Sequence, residues 1–127
     1  MMKSIKTNKA PEAIGPYSQG VAFNDLIFTS GQIAINPKTN SLIEGGVKEQ
    51  IIQIFENLKN ILEADGSSLN NIIKTSVFLK HMSDFTVLNQ IYSEQLKDPY
   101  PARSCFEVTN LPKDALVEIE VIAYKNS

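Results

Sequence analysis

Two amphipathic segments with helical periodicity, separated by one β-rich run, restrict the possible folds of this chain more than any other feature. In the first segment, apolar residues recur at every third or fourth position from Val47 to Leu62, with charged or amide side chains between them. Gly45-Gly46 precede the segment and Gly66 follows it. Because glycine is common just beyond a helix end, the pattern predicts a helix over about residues 47–65.

A second helix is predicted to begin at Ser83 or Asp84, either of which is a favourable N-cap residue. It ends before the segment Asp98-Pro99-Tyr100-Pro101, because a residue that precedes proline is pushed out of the helical region. Its apolar stripe consists of Phe85, Leu88, Ile91, Tyr92 and Leu96.

The other apolar segments favour strands, and Asn24-Asp25 suits a tight hairpin because both residue types tolerate positive φ. The predicted strands cover residues 18–23, 26–35, 72–80, 103–109 and 116–125, with a further short strand at 3–7. The order β-β-α-β-α-β-β predicts an α+β fold, a single mixed β-sheet with two helices packed on one face. Residues 1–127 are expected to form one domain, since a chain of this length supports one core only.

One face of such a sheet remains without cover. Two helices cover one face only, yet the strand at residues 72–80 is apolar enough on both faces to need cover on each. Another copy of the chain would supply the remaining cover, so the sequence predicts a homo-oligomer.

The chain contains one cysteine and one histidine, which excludes several kinds of site. No disulfide can form within the chain, and a zinc or iron site would lack its usual three or four N/S ligands, so no metal is expected. His81 is accompanied by no G-x-S-x-G elbow that would indicate a catalytic triad. A net charge of −2 and a pI near 5.4 provide no general attraction to nucleic acids or anionic membranes.

Targeting signals are also missing from the sequence pattern. Residues Met1 to Lys6 contain no apolar signal-peptide core, and the longest apolar run, Val121 to Tyr124, is far shorter than the ~18 residues of a membrane span. Together with an unpaired cysteine, these features favour a cytoplasmic protein.

Arg103 and Glu118 are the strongest candidates for a chemical role. If their two strands pair antiparallel through the loop at residues 110–114, Arg103 lies opposite Glu118 or diagonal to it. Spacing alone favours a cross-strand ion pair on a hydrated sheet face. The alternative is functional: Arg103 binds a substrate carboxylate through two parallel hydrogen bonds, and Glu118 handles a proton or a water molecule. Cys105, two residues beyond Arg103, is interpreted as lining the site and not as a nucleophile.

Two loops supply further candidates. The segment around Tyr17, residues 15–19, is either a turn with one packed tyrosine or a ligand contact, and the residues favour neither. Ser30 and Gly31 interrupt a strand pattern, where glycine usually marks a bulge or a close backbone approach. Exposed amides at such a bulge are suited to an anionic substrate.

Several ordered motifs resemble the RidA/YjgF family. They lie at residues 13–20 (AIGPYSQG), 29–32 (TSGQ), 101–108 (PARSCFEV), and 111–114 (LPKD) leading to 117–120 (VEIE), and the resemblance extends from about residue 3 to residue 125. The stretch between Leu96 and Pro101 is slightly shorter than is usual in the family, which affects one rim of the ligand cleft that family members have.

The resemblance implies a chorismate-mutase-like protomer assembled as a homotrimer with clefts between subunits. It also implies an activity, the hydrolysis of reactive 2-imino acids or their enamine tautomers to 2-oxo acids and ammonia. The substrates, 2-iminobutanoate and 2-iminopropanoate, are released by pyridoxal-phosphate dehydratases. No cofactor is implied.

Site residues follow from the same resemblance. Arg103 would bind the substrate carboxylate, Glu118 would orient or activate water, and Cys105 would complete the catalytic group near the imine nitrogen. The implied substrate-binding residues, contributed partly by a neighbouring protomer, are Tyr17, Ser30, Gly31, Asn89 and Arg103 itself.

Two other functions remain open. Some relatives carry endoribonuclease or translation-inhibitor names, although the acidic pI argues against binding to RNA. A non-catalytic 2-oxo acid binder, or a chaperone-like protein, would use the same cleft.

Overall fold

The structure is a computed structural model that describes residues 1–127 and contains one six-stranded mixed sheet with two helices. The helices are α1 (Val47–Glu63) and α2 (Phe85–Gln95). The strands are β1 (Lys3–Ile5), β2 (Gly20–Phe23), β3 (Leu26–Thr29), β4 (Ile35–Asn36), β5 (Ser41–Leu42), β6 (Ile72–Leu79), β7 (Ala102–Glu107) and β8 (Val117–Tyr124). The main sheet has the order β1-β2-β3-β8-β6-β7, in which only β6 and β7 are parallel, and β4 and β5 form a separate pair. The α+β prediction is confirmed.

Both helices occur where the sequence predicts them. Gly45 (φ 113°) and Gly66 (φ 80°) flank α1 in conformations that favour glycine. The Glu49 side chain accepts a hydrogen bond from the Gly46 N–H (2.8 Å), which satisfies one of the free donors at the start of α1. Short 3₁₀ turns precede β6, α2 and β8, at Leu69–Asn71, Met82–Asp84 and Pro112–Asp114.

The helices pack on one face of the sheet and bury a single cluster of 22 hydrophobic residues. The other face is uncovered, as expected. Its apolar side chains are half-buried or exposed because no element of the chain lies over them: Val21, Phe23, Leu26, Phe28, Phe78, Phe106, Ile122 and Tyr124.

The predicted strand over residues 26–35 is wrong in its second half. The Thr29 hydroxyl accepts the Val121 N–H (3.0 Å), and Gln32 and Ile119 then exchange two backbone hydrogen bonds. Ser30 and Gly31 bulge out between these two attachments. Further along, the chain leaves the main sheet to form β4.

The expected pairing of β7 with β8 is also wrong, because β6 lies between them. The chain from β6 through α2 to β7 is a crossover that returns parallel to its starting strand. The connection at residues 108–116 then passes over the end of β6, a span of two strand spacings of about 4.8 Å each. Such a connection is long enough for either a hairpin or a crossing, so its length alone could not distinguish them.

No helix in the structure has both the length and the apolar character that a bilayer crossing requires.

Asp65, just after α1, connects both ends of the chain to that helix. Its carboxylate contacts Lys3 Nζ at 2.7 Å and Lys125 Nζ at 3.1 Å, and its side chain is 9% exposed. The hydrogen bond from Lys3, assisted by Lys125, holds the pKa of Asp65 below its usual value. Since Lys125 directly follows β8, the contact helps to fix the strand that carries Glu118.

We expect Asp65→Asn to lower the free energy of unfolding by about 1–2 kcal/mol at pH 7. The pKa of Asp65 is lower in the folded state than its ordinary value of 3.8. The stabilisation is therefore present when the pH is above 3.8, and it is lost as the pH falls through the pKa of the folded state. Urea unfolding at pH 7 and at pH 3, at one protein concentration, measures the difference.

Asp114→Asn is the matched control, since it removes an ion pair with Lys80 in which the carboxylate is 82% exposed. It should cost much less than Asp65→Asn, because an exposed ion pair contributes little to stability. An equal cost for both variants, or a cost of Asp65→Asn that does not change with pH, would contradict the role given to Asp65.

Candidate active site

Arg103 lies on β7, on the face of the sheet that the helices cover. Its backbone is in register with buried Thr75 on β6. Its guanidinium carbon is 5.3 Å from the ring centroid of Phe85 and 4.9 Å from that of Tyr92, both on α2. All three ion pairs of the chain involve lysines, so no carboxylate neutralises Arg103. The guanidinium is therefore available for an external anion.

A shallow cavity of about 470 Å³ opens beside this guanidinium. It is lined by Asn89, Tyr92, Ser93, Tyr100, Pro101 and Arg103. Two of the predicted site residues, Asn89 and Arg103, are thus brought together by α2 and the start of β7.

Cys105 follows Arg103 on the same face of β7 and is half-buried. Burial raises the pKa of its thiol, and the charge of Arg103 opposes this shift. The thiol is consequently protonated at neutral pH, and a protonated thiol is a weak nucleophile. No three His, Cys, Asp or Glu side chains in the structure cluster closely enough to hold a metal ion.

Glu118 lies on β8 in register with Phe78, on the uncovered face of the sheet. Burial raises the pKa of its carboxyl group, and the neighbouring negative charge of Glu120 raises it further. Gly31 packs directly against this carboxylate. A Cβ atom at Gly31 would lie 2.5 Å from Glu118 Oε2 and 2.9 Å from Cδ, so only glycine leaves room for the carboxylate here.

The bulge that carries Ser30 and Gly31 is held by the preceding loop. The Ser30 hydroxyl donates to the Ser18 carbonyl (2.5 Å), and the Ser30 N–H donates to the Gln19 carbonyl (2.9 Å). The buried Gln19 side chain forms four hydrogen bonds with backbone groups of Thr7, Ala10 and Pro11. Gln19 therefore fixes the loop next to Tyr17, a structural role that its place in a loop motif did not reveal.

A second cavity, of about 450 Å³, brings together four predicted site residues: Tyr17, Ser30, Gly31 and Glu118. Tyr17 is 52% exposed at this cavity. Lys113, with φ 55° in the left-handed region, also lines it, from the turn before β8.

The predicted Arg103–Glu118 proximity is wrong within one chain. The two residues lie on opposite faces of the sheet, and β6 separates their strands. The cross-strand ion pair is excluded for the same reason. The candidate residues instead form two groups, one around Arg103 on the covered face and one around Glu118 on the uncovered face.

The aromatic contacts of Arg103 were also not evident from the sequence. Phe85 and Tyr92 were assigned to the apolar stripe of α2, and their rings do face inward on that helix. Their spacing of seven residues places both on one helix face, which was the available signal.

Comparisons with known proteins cover almost the whole chain. The model of the Endoribonuclease L-PSP family matches residues 7–125. A RutC family protein of Pyrococcus horikoshii is 50% identical over 125 residues, which are 98% of this chain and 99% of that protein. Mouse 2-iminobutanoate/2-iminopropanoate deaminase is 46% identical over 121 residues, which are 95% of this chain and 90% of the mouse protein.

Among solved structures, that of E. coli TdcF with bound serine aligns with a TM-score of 0.90 and 43% identity, over 98% of this chain and 99% of TdcF. Sequence and fold thus agree on the resemblance that the motifs indicated. The chain belongs to the endoribonuclease L-PSP family, which is the YjgF/RidA family.

Proposed function

We propose that this protein is an imine deaminase that hydrolyses small 2-imino acids, such as 2-iminobutanoate and 2-iminopropanoate, to 2-oxo acids and ammonia. The observation that carries the proposal is the guanidinium of Arg103, which has no carboxylate partner and borders an open cavity. A small carboxylate substrate fits this cation. The name of the mouse relative supports the choice of reaction, and the serine bound to TdcF supports a small amino-acid-like ligand.

The complete site, on this proposal, forms between two copies of the chain. Arg103 and Asn89 border one cavity, and Tyr17, Ser30, Gly31 and Glu118 border the other. A neighbouring copy that packs on the uncovered sheet face would bring the Glu118 group of one protomer toward the Arg103 group of the next. The apolar side chains exposed on that face favour such packing, and the homotrimer implied by the family resemblance is the assembly we propose.

The reaction needs few groups, because the carbon of an imine is already electrophilic. Arg103 holds the substrate carboxylate, and Glu118 accepts a proton as the oxygen of a water molecule attacks the imine carbon. The C=N double bond becomes single, and the nitrogen takes up the proton that Glu118 received from water. Glu118 then accepts the proton of the new hydroxyl group and passes it to the nitrogen, the C–N bond breaks, ammonia leaves and the C=O bond forms. The raised pKa of Glu118 suits a group that both accepts and returns a proton.

The remaining site residues orient the substrate. Cys105 would lie near the imine nitrogen as a neutral thiol. The backbone amide of Gly31 is a candidate donor to developing negative charge, and Ser30, Tyr17 and Asn89 would border the substrate.

A second candidate function is binding of small amino or 2-oxo acids without turnover, which the serine bound to TdcF favours. The name of the family model raises RNA cleavage as an alternative. Binding to RNA is disfavoured by the net charge of −2.

We expect Arg103→Ala to lower kcat/KM for imine hydrolysis by about 100-fold, since the variant loses a charged bidentate contact. Arg103→Lys should retain more activity, with a loss of about tenfold, because it keeps the charge without the planar fork. The assay couples the protein to a threonine dehydratase and follows the formation of 2-oxobutanoate.

Lys48→Ala, which removes an exposed cation outside every ion pair, is the control and should behave like the native protein. Native protein that gives no acceleration over buffer would refute the deaminase proposal. Saturable binding of 2-oxobutanoate in that case would favour the second candidate function, ligand binding without turnover. RNA cleavage that co-elutes with the protein and is lost in Arg103→Ala would favour the nuclease.

Gly31→Ala tests the position of Glu118. The added methyl group would overlap the carboxylate, so we expect Glu118 to be displaced and kcat to fall by about 10- to 100-fold. Gly46→Ala is the matched control, because a Cβ atom there lies 3.7 Å from its nearest neighbour, Glu49 Oε1. Circular dichroism should show the same fold for both variants. Native kcat in Gly31→Ala would contradict the role assigned to Glu118.

A further inference from the structure

Arg103 is the only cation of the chain whose guanidinium or ammonium group lies over aromatic rings. We propose that Phe85 and Tyr92 are positioning residues, which act through Arg103 by holding its guanidinium in the orientation that binds the substrate carboxylate. The inference rests on the proposed function, because it explains what orients Arg103 toward the substrate carboxylate.

Both rings lie close to the guanidinium of Arg103. The guanidinium carbon lies 5.3 Å and 4.9 Å from the two ring centroids, inside the ~6 Å range of cation–π attraction. The rings attract the cation through their π-electron density and are not carboxylate-type acceptors, so the five N–H donors of the guanidinium stay available. The rings can therefore restrain Arg103 without competing with a carboxylate for its hydrogen bonds.

The ring of Tyr92 is held firmly in the core. Tyr92 is buried, and its hydroxyl forms a hydrogen bond of 2.9 Å with the hydroxyl of Thr75. Thr75 is the residue in register with Arg103 on the neighbouring strand. The ring of Tyr92 also contacts Phe55 of α1 edge-to-face, with centroids 5.9 Å apart. The aromatic support of Arg103 is thus anchored in the core.

The charge of Arg103 also differs from that of a purely structural arginine in how it is balanced. An arginine that serves only stability usually pairs with a carboxylate, and Arg103 has none in this chain. Its charge is compensated by ring faces, which attract the cation more weakly than a carboxylate would. The arrangement keeps the side chain ordered while its donors stay available. Preordering of this kind reduces the entropy that is lost when a ligand binds.

The test replaces Phe85 with phenylalanine that carries one, two or three fluorine atoms. Fluorination retains the shape of the ring and weakens the negative potential of its face, so a residue with only a packing role would not respond. Phe85 is partly buried at the edge of the core, where the small fluorine atoms can be accommodated. The measurements are the Kd of 2-oxobutanoate by calorimetry, and kcat and KM in the coupled assay.

We expect Kd and KM to rise with each fluorine, by three- to tenfold in total, with kcat within twofold of native. Lys48→Ala, which removes an exposed cation outside every ion pair, is the control and should leave Kd unchanged. A flat series at Phe85, in a protein whose binding of 2-oxobutanoate is lost in Arg103→Ala, overturns the positioning role alone. Unchanged binding in Arg103→Ala overturns both this role and the carboxylate site of the proposed function.

Discussion

The pairing of β6 with β7 on one side and β8 on the other determines where the chemistry of this protein lies. Because of the register of these pairings, the side chain of Arg103 on β7 faces the helices, and the side chain of Glu118 on β8 faces the uncovered side of the sheet. Had β7 and β8 been neighbours, the two charges could have met and neutralised each other in one chain. Because β6 separates them, the cation remains free, and the carboxylate is influenced mainly by burial and by Glu120.

This separation connects the fold to the proposed activity. Each group depends on its own local structure: the cation lies over two aromatic rings of α2, and the carboxylate occupies space that the lack of a side chain at Gly31 leaves open. Neither group has a charged partner within the chain. A site in which one copy supplies the cation and another supplies the carboxylate satisfies both, and it also gives the uncovered sheet face a role.

Much of the fold could be predicted from the sequence. The periodicity of α1, the proline-rich end of α2 and the turn at Asn24-Asp25 are local signals, and each corresponds to an observed element. Alternation correctly grouped the residues that share a face within β7 and within β8, but it did not show that Arg103 and Glu118 lie on opposite faces of the sheet. The order of the strands within the sheet was not predictable in this way, because the connection at residues 108–116 is long enough either for a hairpin or for a crossing over one strand. The distance from Arg103 to Glu118 depended on that order.

The local geometry around single candidate residues was predicted more successfully than their arrangement in space. Gly31 was identified as a bulge or a close approach, and it is both. The aromatic contacts of Arg103 and the hydrogen bonds of Gln19 were missed, because they join segments that are distant in sequence. Side chains that support a site resemble ordinary core residues when only their spacing is known.

The central claim, that two copies of the chain complete each site, is tested most directly by mixing two inactive variants. Arg103→Ala and Glu118→Gln are unfolded together in equal amounts, refolded as mixed oligomers, and assayed for imine hydrolysis. If each site takes Arg103 from one copy and Glu118 from another, random mixing restores about a quarter of native activity, because about one site in four receives both intact residues. If one chain holds both residues in one site, mixing restores nothing beyond the mean of the two variants, and the account is wrong.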